Sequence, residues 1–154
     1  MTHWTDLSPA GRSALPDPYA MPEFYDGVIS KRVLAWVVDI VLITVLTLVA
    51  GVLTLTVGFF LWPLFFLAIG ALYRVATIAN RSATWGMRLM GIELRGHDGR
   101  QFDTVQALLH VSGYYASMIF VFPILASAAS MVLTGRRQSL TDMVMGCAAI
   151  NRPA

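Results

Sequence analysis

The chain has 154 residues, of which 56% are hydrophobic and only 13% are charged. Ordinary soluble domains carry roughly 25% charged residues, so part of this surface must face something apolar. The formal net charge of +2 is too small for a nucleic-acid-binding protein, and the basic residues flank apolar stretches instead of forming a patch. The composition therefore predicts an integral membrane protein, with the lipid bilayer as a partner and no nucleic acid.

The N-terminal residues 1–27 are polar and are interrupted by Pro9, Pro16, Pro18 and Pro22. Prolines at this density exclude a helix or a central strand, and the segment lacks the apolar core of a signal peptide. Residues 1–27 are therefore predicted to be an irregular, mobile tail, and residues 28–154 the membrane domain. Phe24 and Tyr25 are expected to anchor the tail at the membrane surface, where aromatic rings accumulate.

Two membrane-crossing helices are predicted between residues 33 and 73, where Asp39 is the only side chain with a formal charge. A helix needs about 20 residues to cross the hydrocarbon core, so this stretch is long enough for two crossings. We place the helices at residues 30–53 and 57–77, with a turn near residues 53–58. Together they form a transmembrane helical hairpin.

The basic residues predict the orientation of this hairpin. Lys31 and Arg32 precede the first helix, and several arginines follow the second, whereas the turn between the helices carries no charge. The positive-inside rule therefore predicts a multi-pass protein of the cell inner membrane with a cytoplasmic N-terminus.

A third apolar stretch covers residues 104–133, which is long for one crossing and short for two. A single crossing would leave Arg136 and Arg137 outside, whereas two short helices broken at Pro123 would return these arginines to the cytoplasm. We favour the second arrangement, a kinked or re-entrant helical segment.

A small cytoplasmic β element is predicted from residues 92–95 and 147–150, which have a strand-like pattern and can pair only on one side of the membrane. The predicted fold is therefore an all-α membrane protein, in which a helical hairpin and a third long or kinked segment accompany this β element.

Asp39 is the main candidate for a functional site. It lies seven residues after Arg32, so both side chains project from one face of the first helix. A carboxylate within the membrane costs at least about 2.5 kcal/mol and needs a partner, a bundle interior or water. Arg74 and His110 are expected at similar depth. Two interpretations stay open. The first is a structural ion pair of Asp39 with Arg74, or else with Arg32. The second is a cation or proton transport site at the same place, with His110 or Tyr73 nearby.

Two polar motifs follow in the sequence. Ser139-x-x-Asp142 has the form of a capping box, so Asp142 is predicted to cap a short interfacial helix and to interact with Arg136 or Arg137. Residues 84–91 lack the spacing of a phosphate-binding loop and are better interpreted as a turn that enters a strand.

Enzymatic motifs do not occur in the sequence, so no catalytic residue, cofactor or metal site is predicted. Cys147 is the only cysteine, which excludes an intramolecular disulfide, and we expect a buried, unmodified thiol.

In their order and their placement against the helices, these residues resemble the RDD family of small bacterial membrane proteins, named after one arginine and two aspartates. Arg32 falls on the family's arginine, Asp39 on its first aspartate and Asp142 on its second. The family's Thr-x-Gly-Lys-x-x-x-Gly stretch is similar to residues 84–91, and its Arg-Gln-Gly-Leu-His-Asp-like stretch is similar to residues 137–142. Two departures are Met87 in place of the lysine and Thr141 in place of the histidine.

The resemblance implies transport of ions or small molecules. Because one copy has few helices, a transport path around Asp39 would require a homo-oligomer. The alternative is an accessory or assembly subunit of a larger membrane complex. Small residues suit the close helix contacts that either assembly needs, at Ala68, Gly70, Ala71 and residues 126–130.

Overall fold

The computed structural model describes residues 13–54 and 57–153 of the chain. Seven helices and two strands occur in these residues: α1 (Val28–Leu53), α2 (Val57–Phe60), α3 (Trp62–Arg81), α4 (Trp85–Leu89), β1 (Ile92–Arg95), α5 (Thr104–Met118), α6 (Val121–Leu133), α7 (Leu140–Met145) and β2 (Ala148–Asn151). The predicted fold class, a mostly helical membrane-type protein with a small β element, is confirmed.

Helices α1 and α3 are each long and apolar enough to cross a membrane, which confirms the predicted hairpin. The second helix was placed too early, because it covers Trp62–Arg81 and not residues 57–77. The single-turn helix α2 lies in the connection between them, and Pro63 occupies the first turn of α3, where its missing N–H is not needed. Most large apolar side chains of α1 and α3 are exposed, as lipid contact requires. The buried residues of α1 follow one stripe: Val28, Ala35, Asp39, Ile43, Thr47 and Gly51.

The third apolar segment is bent, as predicted, with an angle of 118° between α5 and α6. Neither helix alone reaches the roughly 20 residues that a crossing needs, but the bent pair together is apolar enough for one broken span or a re-entrant loop. The predicted break at Pro123 is wrong, because the chain bends at Ile119 and Phe120. Pro123 lies in the first turn of α6, where a helix tolerates proline.

Strands β1 and β2 pair antiparallel, with Ile92 opposite Asn151 and Arg95 opposite Ala148. The predicted pairing is confirmed, although β2 begins one residue later than expected. We call the end of the bundle that carries this sheet the sheet end. The backbone N–H of Leu94 donates to the carbonyl of Ser82, so the sheet is also fixed to the end of α3.

Residues 13–27 are irregular apart from one 3-10 turn at Pro22–Phe24, but they are packed on the sheet instead of forming a free tail. Leu15 and Tyr25 are buried against Ala148 and Ile150. Tyr25 is therefore an interior residue and not a membrane-surface anchor, and burial raises the pKa of its phenol to about 12. Residues 1–12 of the predicted tail lie outside the described residues.

Candidate functional site

Asp39 lies on the buried stripe of α1 and is only 4% exposed. Its Oδ1 accepts a hydrogen bond of 2.6 Å from the Tyr73 hydroxyl and one of 3.0 Å from the backbone N–H of Gly86. One carboxylate oxygen thus joins α1 to α3 and α4. The predicted ion pair with Arg74 is not formed, because Tyr73 and Gly86 occupy the positions next to the carboxylate.

The contact between Asp39 and α4 depends on Gly86, which the sequence analysis placed in a turn and did not connect with Asp39. A Cβ at Gly86 would lie 2.2 Å from the carbonyl oxygen of Ala35 and 2.9 Å from Asp39 Oδ1. Only glycine allows α4 to approach α1 this closely. Thr84 starts α4 by accepting a hydrogen bond from Met87 N, so residues 84–91 form a short helix before β1 and not only a turn. The Thr-x-Gly pattern was the signal that could have identified Gly86.

Arg74 follows Tyr73 in α3 and is only 7% exposed. Its Nη1 lies 3.3 Å from the Tyr115 hydroxyl and 3.5 Å from the Gly70 carbonyl, and its guanidinium carbon lies 4.9 Å from the centre of the Tyr114 ring. These contacts show that the side chain extends toward the N-terminus of α3, the usual direction for helical side chains. It therefore extends away from the position that an ion pair with Asp39 required.

Within residues 13–54 and 57–153, Arg74 makes no ion pair, and its buried Nη2 has no hydrogen-bond partner. A buried cation is costly unless an anion or several acceptors compensate for lost water. The contacts with the two tyrosines offset only part of this cost.

Asp142 is fully buried and is the most heavily bonded carboxylate of the site. Its Oδ2 accepts from Arg32 Nη1 at 2.6 Å and from the backbone N–H of Ser139 at 2.9 Å, and its Oδ1 lies 2.9 Å from His110 Nε2. The predicted capping box is confirmed. The predicted partners Arg136 and Arg137 were wrong, because the carboxylate faces the bundle interior, where Arg32 and His110 reach it.

Asp39, Arg74, His110 and Arg32 all line one cavity of about 460 Å³. Its walls come mainly from α1, α5 and α6, and most of the remaining lining is apolar. A hydrogen bond of 2.9 Å from Trp36 Nε1 to the Tyr114 hydroxyl joins α1 to α5 beside it. The predicted site residues therefore share a cavity, although His110 is bonded to Asp142 and not to Asp39.

The RDD family model matches residues 27–146, more than half of the chain. The chain belongs to the RDD family. Searches of the curated proteins and of the solved structures found no match. The match covers Arg32, Asp39 and Asp142, and it confirms the resemblance drawn from these residues.

In this RDD protein the arginine and the two aspartates do not form a single cluster. The partly buried Arg32 and the fully buried Asp142 form an ion pair at the sheet end, whereas Asp39 binds Tyr73 and α4. The sequence alone predicted that Arg32 and Asp39 share a helix face, but it did not show that Arg32 would bind the second aspartate.

His110, Asp142 and Cys147 place three potential metal-ligating atoms within 4.8 Å of one another, a cluster that the sequence spacing did not indicate. Burial raises the pKa of the Cys147 thiol well above its usual range, and the charge of Asp142 adds to this effect. The positive charge of Arg32 on the same carboxylate also opposes a metal cation. We therefore interpret the cluster as a hydrogen-bonded support for α7 and not as a metal centre.

Proposed function

We propose that this RDD protein is the solute-binding subunit of a small homo-oligomeric membrane transporter, and that the cavity lined by Asp39 and Arg74 is its solute site. The observation that carries the proposal is the unpaired state of Arg74. This cation is buried among apolar helices, yet no described carboxylate lies within ion-pair distance of it.

The arrangement of Asp39 and Arg74 supports binding over a purely structural role. A structural pair would neutralise the two charges by direct contact, whereas here each side chain is held by tyrosines and backbone groups. Ionisable residues within apolar helices usually face a cavity and mark the path of a substrate or a proton. Both residues line the same cavity, so a bound solute can contact both charges.

A second copy is part of the proposal because one chain cannot enclose a path. In the described residues α6 contains no buried side chain, and its outward residues include Phe122, Leu125 and Ala129. We propose that α6 lies against a second copy. In this arrangement the protein is multi-pass in the inner membrane, with the N-terminus and the sheet end in the cytoplasm, because Lys31 and Arg32 lie at that end.

The exposed α6 also supports a second candidate function, an accessory subunit that packs against a different membrane protein. Mass measurement of the complex purified from its own membrane in mild detergent separates the two. A multiple of the chain mass supports the homo-oligomeric transporter. A complex with an unrelated chain in fixed ratio supports the accessory role.

Transport is tested by measuring currents across a solid-supported membrane that carries proteoliposomes of the intact protein. The solutes are Na⁺, K⁺, inorganic phosphate and alkyl sulfonates of short and long chain, which remain charged at all working pH values. We expect a current for at least one solute, lost in both Asp39→Asn and Arg74→Gln. Asp98→Asn, which alters an exposed carboxylate in the turn after β1, is the control and should keep the current. Currents equal to those of empty liposomes for every solute would refute the proposed transport.

A further inference from the structure

The cavity combines a buried cation with an apolar wall, which is the chemistry of a site for an amphiphile. We infer that the solute is an anionic amphiphile from the bilayer. Its acid group binds Arg74, and its hydrocarbon chain lies along the apolar surfaces of α1 and α6. This inference rests on the proposed function, which identifies the cavity as the solute site.

Arg74 forms the end of the site that would bind the acid group. Its residue is more than nine-tenths buried, and Nη2 lacks a partner among the described residues although the side chain borders the cavity. The ring of Tyr114 packs on the guanidinium, with 4.9 Å between the ring centre and the guanidinium carbon, and both residues border the cavity. The Tyr114 hydroxyl accepts from Trp36 and keeps its own proton for an acceptor. A carboxylate, phosphate or sulfonate oxygen would satisfy both donors.

The charges around the cavity favour an anion. Arg32 and Arg74 contribute two guanidinium groups and His110 an imidazole, whereas Asp39 is the one carboxylate in the lining. Asp142, which neutralises Arg32, is fully buried behind that side chain and does not border the cavity. A cationic solute would meet repulsion from Arg74, whereas Arg32 is already neutralised by Asp142. Its only counter-charge in the lining would be Asp39, which is already bonded to Tyr73 and Gly86.

The rest of the lining favours a hydrocarbon chain over a free phosphate ion. Apolar residues of α1 and α6 supply a large part of the cavity wall: Ile29, Val33, Ile124, Met131 and Val132. A volume of about 460 Å³ falls within the range of roughly 300–1,000 Å³ typical of small-molecule sites. Val33 and Val132 are 57% and 62% exposed, so the chain can extend between the two helices toward the surrounding lipid.

Native mass spectrometry of the purified full chain in dodecyl maltoside tests this inference with four probes. Dodecanesulfonate carries the acid group and the chain, ethanesulfonate and inorganic phosphate carry only the acid group, and dodecyltrimethylammonium carries the chain with the opposite charge. We expect a complex with dodecanesulfonate that survives detergent removal. The cationic probe should bind roughly tenfold less, because it cannot accept from Arg74. Ethanesulfonate and phosphate should lose at least about tenfold, because they lack the buried hydrocarbon chain.

Two variants test the acid end and the apolar wall separately. Arg74→Gln should reduce dodecanesulfonate binding by roughly tenfold, whereas Arg81→Gln, at the exposed end of the same helix, should leave it unchanged. Ala128→Phe places a large side chain in the cavity wall and should weaken the same binding. Ala76→Phe makes the same change at an exposed position of α3 that is outside the lining, and it should bind as the wild type does.

Three results would overturn the inference: equal binding of the cationic and anionic probes, binding of phosphate or ethanesulfonate as tight as that of dodecanesulfonate, or wild-type binding by Arg74→Gln. Should Arg74→Gln fail to fold, Ala128→Phe and the probe comparison still decide the matter. Bound amphiphile without any current would retain this inference and refute transport. A current for phosphate without amphiphile binding would retain transport and refute this inference.

Discussion

Arg32 Nη1 and Asp142 Oδ2 lie 2.6 Å apart, although 110 positions separate the two residues in the sequence. The pair joins the start of the first membrane-type helix to the short helix α7, which leads into β2. Because Asp142 also caps α7 and contacts His110, one carboxylate connects α1, α5 and α7.

Replacement of Asp142 by asparagine should destabilise the protein strongly, because Arg32 would remain partly buried without a counter-charge. We expect a loss of about 3–5 kcal/mol, measured by thermal or denaturant unfolding in detergent. The double variant Asp142→Asn/Arg32→Gln should recover part of this loss. If the two single losses add instead, the residues do not interact. Asp98→Asn is the matched control and should unfold as the wild type does.

The same pair predicts a pH dependence of stability. Burial alone would raise the pKa of Asp142, but the Arg32 guanidinium and the hydrogen bond with His110 hold it well below its usual range. A lowered folded-state pKa contributes stability that is complete above the unfolded-state pKa of about 3.9 and declines as the pH falls below it. The difference in unfolding free energy between wild type and Asp142→Asn should therefore be constant near neutral pH and shrink below about pH 4. A difference that shrinks already between pH 7 and 5 would contradict this assignment.

Gly86→Ala should separate α4 from α1, because the added Cβ would lie 2.2 Å from the Ala35 carbonyl oxygen and 2.9 Å from Asp39 Oδ1. Overpacking of this kind costs about 1–3 kcal/mol, to be measured as a lower melting temperature in detergent. Gly135→Ala, whose Cβ would meet Pro18 at 3.2 Å, is the control and should cost less. Equal decreases in melting temperature for Gly86→Ala and Gly135→Ala would show that α4 does not pack unusually closely against α1.

Double-mutant cycles should distinguish the actual partner of Asp39 from the predicted one. The hydrogen bond of 2.6 Å to Tyr73 predicts a coupling energy between Asp39→Asn and Tyr73→Phe, within the usual range of about 0.5–3 kcal/mol. The coupling between Asp39→Asn and Arg74→Gln should be smaller, since these side chains form no ion pair among the described residues. A larger coupling energy for Asp39 with Arg74 than for Asp39 with Tyr73 would support the ion pair predicted from the sequence.

Cys147 should react slowly with maleimides while the protein is folded. It is 1% exposed, and burial raises the pKa of its thiol, so little thiolate is present near neutral pH. Labelling should be complete only after denaturation in sodium dodecyl sulfate. As a control, Tyr19→Cys in a Cys147→Ala background should react within minutes, because residue 19 is 90% exposed. Rapid labelling of the native wild-type thiol would contradict the buried position.

The sequence predicted the elements of the fold but few of the contacts between them. Apolar length and turn residues identified α1, α3 and the bent segment, because these properties depend only on local composition. The break before Pro123 was misplaced, since a proline is equally compatible with the first turn of a helix.

The sequence predicted which residues belong to the candidate site, but not which of them contact one another. Asp39, Arg74 and His110 do line one cavity, yet the direction of the Arg74 side chain and the contact of Gly86 with Asp39 arise only when α3 and α4 pack on α1. A single sequence contains no direct signal for such pairings, because they join residues that are distant along the chain.

The pairing of β1 with β2 also determines the order in which the protein can become complete during synthesis. Helices α1 and α3 leave the ribosome while Lys31 and Arg32 still lack their partners, because Asn151 and Asp142 are translated much later. Leu15 and Tyr25 likewise cannot be buried until Ala148 and Ile150 have been synthesised. Synthesis of the hydrophobic helices therefore precedes assembly of the sheet end, because residues 142–151 complete the surroundings of residues 15–32.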